Sequence, residues 1–268
     1  MASDQINEAS SDQVLISIED CLDHEDTLLE KSVCLITLNR ESKRNAITLG
    51  MYEKMAETFE QLQTKNQDSV ASVVITGRGK HFTGGNDLHD FFTRPPSSDR
   101  KHPIRRFMTA LLDLQLPVIV AIEGHAVGIG STLLTHCDFV YAHPESSFSM
   151  PFVPLGLVPE FASSQLIPER AGDKRAKEWL LLGKSFGANE ALAGGLISAI
   201  DPSPLSRAMK TAAELAVLPR QALIEAKGLL HGPKREELER VIDREIEKFT
   251  QALQGDAFKR NVQAFLNK

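Results

Sequence analysis

Apolar positions along the chain fall into short continuous runs and helical stripes in alternation. From Val14 an alternation begins, with Val14, Ile16 and Ile18 on one face and Leu15 as the apolar exception on the other, which predicts a strand. A loop carrying Asp23-His24-Glu25-Asp26 follows. Val33–Leu38 (VCLITL) reads as a buried strand. The loop NRESKRNAI then leads into Thr48–Thr64, where Leu49, Tyr52, Met55, Phe59 and Leu62 share one helix face and Thr48 is placed as an N-cap. Val70–Thr76 (VASVVIT) is the next buried strand, closed by GRGKHFTGGND. Residues Phe91–Pro103, with Pro95-Pro96, serines and charges, predict an exposed loop and a candidate mobile lid. A helix over Ile104–Leu114 precedes the strand VIVAIEG, opened by Pro117; then come GHAVGIG, the apolar STLLTHCD and the strand FVYA.

Buried strands thus recur near residues 33, 72 and 118. A period of about 40 to 46 residues points to a repeated ββα unit rather than one doubly wound sheet. After DPSPLS (201–206) strand signals stop and residues 207–268 read as helical. There Leu238, Val241, Ile242, Ile246 and Phe249 form a stripe; it serves either to pack the helix on its own domain or to form a cap that also supplies a subunit interface. Residues 1–13 are expected to be a disordered tail, 14–204 the core and 205–268 a helical cap or oligomerisation region. Trp179 and the leucines after it read as helix core.

Composition narrows the function classes. Acids exceed bases, 36 against 30, so the net charge of −6 makes duplex nucleic acid a poor partner, although Lys101, Arg105 and Arg106 form a candidate basic patch. The three cysteines, Cys21, Cys34 and Cys137, are odd in number and lack C-x-x-C spacing, which suits a reducing compartment. No secretory pattern, membrane-length apolar run or C-terminal peroxisomal address is expected from this sequence, and a cytoplasmic location follows if the host is bacterial. The histidines, among them His81, His89, His125, His136 and His143, show no metal-ligand spacing and read as local hydrogen-bonders, so neither metal nor cofactor is expected.

Three segments carry candidate chemistry. His81–Leu88 (HFTGGNDL) follows a buried strand; its paired glycines allow backbone to approach a ligand, and Asp87 is placed to cap the next helix, although a plain strand-to-helix turn explains the same residues. Gly124–Gly130 (GHAVGIG) joins a strand to a small-residue helix whose first N–H groups are free to bind an anion; it matches neither a dinucleotide nor a Walker fingerprint. In Pro151–Ser164 (PFVPLGLVPEFASS), Glu160 sits among Leu155, Leu157, Val158, Pro159 and Phe161. Apolar surroundings would raise its pKa toward that of a general base; the alternative is a surface acid at a helix start.

These segments, with NRESKRNAI, CDFVYA and ALAGGLI in the same order, resemble the crotonase, or enoyl-CoA hydratase/isomerase, superfamily over roughly Val33–Ile200, and within it the enoyl-CoA delta isomerases of the peroxisomal type. The resemblance implies an α/β fold, a spiral of ββα repeats with a helical C-terminal region, in homotrimers or hexamers. It implies an acyl-CoA thioester substrate, with coenzyme A as part of that substrate. The N–H groups of Asn86 and Ile129 would form the oxyanion hole, with a helix beginning near Gly130 adding its dipole. Lys43, Arg44, Ala46, Gly84, Gly85, Asp87 and Leu88 would line the CoA and thioester path. The two hydratase glutamate positions hold Thr132 and Phe152, whereas the isomerase position holds Glu160. A single-glutamate shift of a 3-enoyl-CoA to the 2-trans isomer is the implied reaction. Alternatives are thioester hydrolysis or hydration at the same site, or a non-catalytic acyl-CoA- or RNA-binding role. Among departures from the family pattern, Glu123 replaces a common Asn, Gly130 a common Ser, and Phe161 a small residue that would leave the acyl pocket wider.

Overall fold

The computed structural model describes residues 13–22, 27–64, 69–231 and 234–266; the 1–13 tail, apart from Gln13, and the Asp23–Asp26 loop lie outside the described residues. The first elements are β1 (Val14–Leu22), β2 (Leu28–Leu38), α1 (Leu49–Thr64), β3 (Val70–Gly77), α2 (Leu88–Thr93) and α3 (Pro103–Asp113). Next come β4 (Val118–Ile122), β5 (His125–Val127), α4 (Ile129–Thr132), β6 (Phe139–Ala142), β7 (Ser147–Ser149), α5 (Ser163–Ala171) and α6 (Asp173–Leu181). The chain then forms β8 (Phe186–Gly187), α7 (Ala188–Ala193), β9 (Ala199–Ile200) and the helices α8 (Pro204–Ala216), α9 (Arg220–His231), α10 (Arg235–Leu253) and α11 (Asp256–Leu266).

The main sheet runs β1-β2-β3-β4-β6-β9, antiparallel between β1 and β2 and parallel thereafter. A smaller sheet runs β5-β7-β8. Isolated parallel bridges, Ile47 to Asn86 and Thr83 to Ala126, carry its ladder back to the earlier turns. Each turn of the chain therefore adds to both ladders in sequence order, as a spiral requires. This is the spiral of ββα repeats that the family resemblance implies.

The main strands read as unbroken apolar runs because both faces are covered. On β2, Cys34, Ile36 and Leu38 enter the larger core, shared with α1, α3 and α10. Val33 points the other way, with Val74 of β3 and Ile119 and Ala121 of β4, into a second core closed by Ala208, Ala212 and Leu215 of α8. In α1 the Met51 N–H donates to Thr48 Oγ1 at 3.3 Å, the cap expected there. Leu238, Val241, Ile242, Ile246 and Phe249 of α10 are all buried within this one chain, so the stripe packs α10 on its own domain. Among the described residues, no helix is long and apolar enough to cross a membrane.

Several expectations are corrected. Ile18 is 54% exposed, because β1 is an edge strand whose outer half extends beyond the core. Leu180 is buried but Leu181 and Leu182 are more than half exposed, lying at the end of α6 on its outer side. The Phe91–Pro103 segment is largely the exposed loop expected, but it is anchored at its ends and at Pro96. Phe91 is in α2 and packs edge-on to Phe249, the Pro96 carbonyl accepts from Thr250 Oγ1 at 2.7 Å, and His102 is buried. Nor do Arg105 and Arg106 form a basic patch. Arg105 is wholly buried and donates to Asp243, and Arg106 pairs with Glu60.

Candidate active site

The turn after β3 is built by hydrogen bonds to the preceding loop. The Gly84 N–H donates to the Arg44 carbonyl at 2.7 Å, the Ile47 N–H to Gly85 and the Asp87 N–H to Ile47. This parallel bridge leaves the intervening Asn86 N–H pointing off the ladder. Gly85 has φ +92°, and a Cβ there would lie 2.8 Å from the Val127 carbonyl oxygen, so only glycine lets the two turns meet this closely. Lys43 and Arg44 are exposed beside the turn, with Gly84, Ala46 and Leu88 half-buried. Asp87 caps α2 through the His89 N–H and pairs with Arg40 at 2.7 Å, so its carboxylate is committed to holding the loop and turn together.

The second turn is locked to the first. The Thr83 N–H donates to His125 and the Val127 N–H to Thr83. Gly128 lies at φ 56°, ψ −118°, glycine territory, and its N–H donates to Ser149. Ile129 then opens α4, where an N–H has no intrahelical acceptor. The helix begins at Ile129, next to Gly130 as expected, and spans only Ile129–Thr132 before tightening to a 3₁₀ turn, so the local N–H matters more than a long dipole. Gly130 has a steric reason: a Cβ there would come 2.3 Å from Thr83 Cγ2.

Glu160 bonds to the helix that the second turn opens, and its charge reaches Tyr52, whose hydroxyl bonds Asn86 of the first turn. Glu160 is 4% exposed, and its Oε1 accepts from Thr132 Oγ1 at 2.8 Å. It is not a surface acid at a helix start, because α5 begins only at Ser163. Burial pushes its pKa up to about 8, against a lowering by the Thr132 bond and with a further rise from the charge of Glu245. Phe152 is buried, and its ring approaches the position of a Cβ on Gly128 to 4.0 Å. Phe161 is fully buried, stacked on His136 at 3.9 Å, with the His136 Nε2–H donating to the Phe161 carbonyl at 2.8 Å. It is thus a core anchor for the turn.

The structure adds three residues to the site. Asn45, fully buried and left-handed, donates to the Arg78 and His81 carbonyls and accepts from the Arg40 N–H, fastening the loop that holds Lys43–Ala46. Tyr52 donates to Asn86 Oδ1 at 2.5 Å; burial and the charges of Glu160 and Asp90 hold its hydroxyl well above its usual pKa. Glu245 of α10 is buried and accepts from the Ala162 N–H at 2.6 Å and the Ser164 N–H at 3.0 Å. Phe161 and Ala162 both have left-handed backbones, costing about 1 kcal/mol or more each, and such strain persists only when neighbours enforce it. Among the described residues no His, Cys, Asp and Glu cluster fits a metal ion.

A sequence model of the enoyl-CoA hydratase/isomerase family matches residues 29–268. Enoyl-CoA delta isomerase 2 of Rattus norvegicus is 33% identical over 226 residues, 81% of this chain and 56% of that protein. The chain thus spans about half the length of the curated isomerases it matches first. The 1,2-epoxyphenylacetyl-CoA isomerase of Escherichia coli K12 is 32% identical over 250 residues, 90% of this chain and 94% of that one. The solved structure of Pseudomonas aeruginosa OdaA superposes with a TM-score of 0.87 at 38% identity, covering 96% of this chain and 100% of that chain.

Proposed function

The chain belongs to the enoyl-CoA hydratase/isomerase family, and on that premise we propose that it moves the double bond of a 3-enoyl-CoA to the 2-trans position. One observation carries the reading: Glu160 is a buried carboxylate bonded to Thr132 of the helix that the second turn opens, while positions 132 and 152 hold a hydroxyl and an aromatic ring. Glu160 takes the proton from C2 as that C–H bond breaks. The electron pair forms the C1–C2 double bond of a dienolate that keeps its C3–C4 double bond, and the carbonyl π pair moves to the thioester oxygen, where the Asn86 and Ile129 N–H groups donate to it. Protonated Glu160 then returns the proton to C4: the C3–C4 π pair takes it, the C1–C2 pair becomes the C2–C3 double bond and the thioester carbonyl re-forms. Atoms balance without water, which suits a site with Phe152 where hydration would need a second acid.

Lys43, Arg44, Ala46, Gly84, Gly85, Asp87 and Leu88 belong to this reading as the CoA and thioester path, with no separate cofactor. So does a homotrimer or hexamer; the exposed Leu229 and Leu230 of α9 are apolar surface that an assembly would cover. The test is conversion of 3-trans-enoyl-CoA to 2-trans-enoyl-CoA, with crotonyl-CoA hydration and free CoA release run beside it. Isomerisation alone is expected, lost by at least about 10²-fold in Glu160→Gln. Hydration or CoA release in its place, or near-normal turnover by Glu160→Gln, would overturn the assignment.

A further inference from the structure

We propose that Glu245 is a positioning residue for this chemistry: from α10 its carboxylate clamps the left-handed Phe161–Ala162 turn that aims Glu160 at the substrate. The inference rests on the isomerase reading for its kinetic consequence, though not for its geometry.

The turn has a problem that its own residues do not solve. Two consecutive non-glycine residues sit at φ 57° and 56°, immediately after the proposed base. The N–H groups of Ala162 and Ser164, at the start of α5, have no side-chain cap from the helix itself. Both donate instead to one carboxylate, Glu245 Oε2 and Oε1 respectively, reached across 83 residues of sequence to Ala162. The His136 bond to the Phe161 carbonyl and the Ser163 N–H bond to the Glu160 carbonyl at 3.2 Å are further fixed points. Glu160 is therefore held on one side by Thr132 and on the other by a backbone that α10 keeps in place.

Glu245 sits in the larger core amid Ile242, Ile246 and Phe249, where an acid is costly to bury without a use. Burial raises its pKa against the opposing effect of the two N–H bonds and of Arg244. The groups facing this turn from the packed elements are Thr132 of α4, Tyr52 of α1, His136 of the 3₁₀ turn, Ser164 of α5 and Arg244 of α10. Among the carboxylates, Glu245 is the like charge that Glu160 feels.

Glu245→Gln keeps one acceptor and turns the other into an N–H donor facing a backbone N–H, so one clamp bond is lost together with the charge. In the full-length protein its kcat for isomerisation is expected to fall by roughly 10- to 10²-fold, with the KM for acyl-CoA nearly unchanged, because Glu245 displaces the base without touching substrate. ¹³C-carboxyl NMR reads Glu160 directly, without turnover, and its midpoint is expected to move to lower pH once the like charge is gone. A folded Glu245→Gln with wild-type kcat, or with the loss entirely in KM, overturns the role. A wild type without isomerase activity overturns the reaction instead. Amide hydrogen exchange then decides the clamp: faster exchange at Ala162 and Ser164 in Glu245→Gln supports it and unchanged exchange overturns it. Should Glu245→Gln fail to fold, Glu245→Asp, which keeps the charge but shortens the reach, is judged by the same kcat-against-KM split.

Discussion

At the scale of single residues, the pKa of Glu160 near 8 ties activity and stability to pH in opposite senses. The base works ionised, so kcat/KM should rise tenfold per pH unit up to about 8 and level off above. The fold prefers the neutral acid. Its folded pKa lies above the unfolded value, so the stabilisation is complete below about pH 4.5 and is lost as pH rises through about 8. Glu160→Gln, neutral at every pH, should therefore leave Tm nearly unchanged at pH 5 and raise it at pH 9, as calorimetry at the two pH values would show. A wild type no less stable than the variant at pH 9 would refute the buried charge. Glu160 was legible in the sequence because a lone acid in LVPEF contrasts with its neighbours. Tyr52 and Glu245 were not, because each sits on a helix face that reads as apolar. The signal was there in both: a hydroxyl or carboxylate on a buried stripe needs a partner, and Glu245 stands seven residues after Leu238, squarely on that stripe.

At the scale of elements, the long strands were readable and the short ones were not. β2, β3 and β4 are covered on both faces and so appear as apolar runs, whereas β5, β7 and β8 span only two or three residues each. No periodicity survives in so few positions, yet these strands and the two bridges bring the glycine turns together. The packing of Thr83 on Gly130 is the most exposed point of that junction to substitution. Gly130→Ser should destabilise by about 1–3 kcal/mol and lower kcat, because overpacking here shifts the Ile129 N–H. The double variant Thr83→Ser/Gly130→Ser removes the offending methyl and should recover part of both losses. Denaturant midpoints and turnover of the two variants check this, and equal damage in both would show that the methyl is not what excludes a side chain.

At the scale of the whole molecule, the C-terminal helices look alike in sequence and do different work. α8 closes the outer face of the main sheet, while α10 closes the inner core and reaches the site. Helical spacing identifies each as amphipathic without saying which surface it covers. Arg105 of α3 joins the first half of the chain to α10, bonding Asp243 at 2.8 Å and approaching Glu239 at 3.5 Å from a fully buried position. Arg105→Met keeps the packing and takes its bond from Asp243, while Glu239 keeps Arg100 and Arg235, so a loss of about 1–3 kcal/mol is expected. That loss should appear as a lower Tm accompanied by reduced kcat, because loosening α10 loosens the catalytic turn. A lower Tm with kcat intact would separate the ion pair from the site.

The stacking of Trp179 on Phe186, at 3.9 Å and nearly parallel, has an optical consequence. The sequence contains one tryptophan, so all indole emission comes from the contact between α6 and β8. Fluorescence will report the melting of the spiral's last turn and stay silent while α10 lifts away. Followed side by side through a denaturant titration, emission and turnover become two clocks, and any interval in which turnover has stopped while emission is native measures how much sooner the helical arm lets go than the spiral it serves.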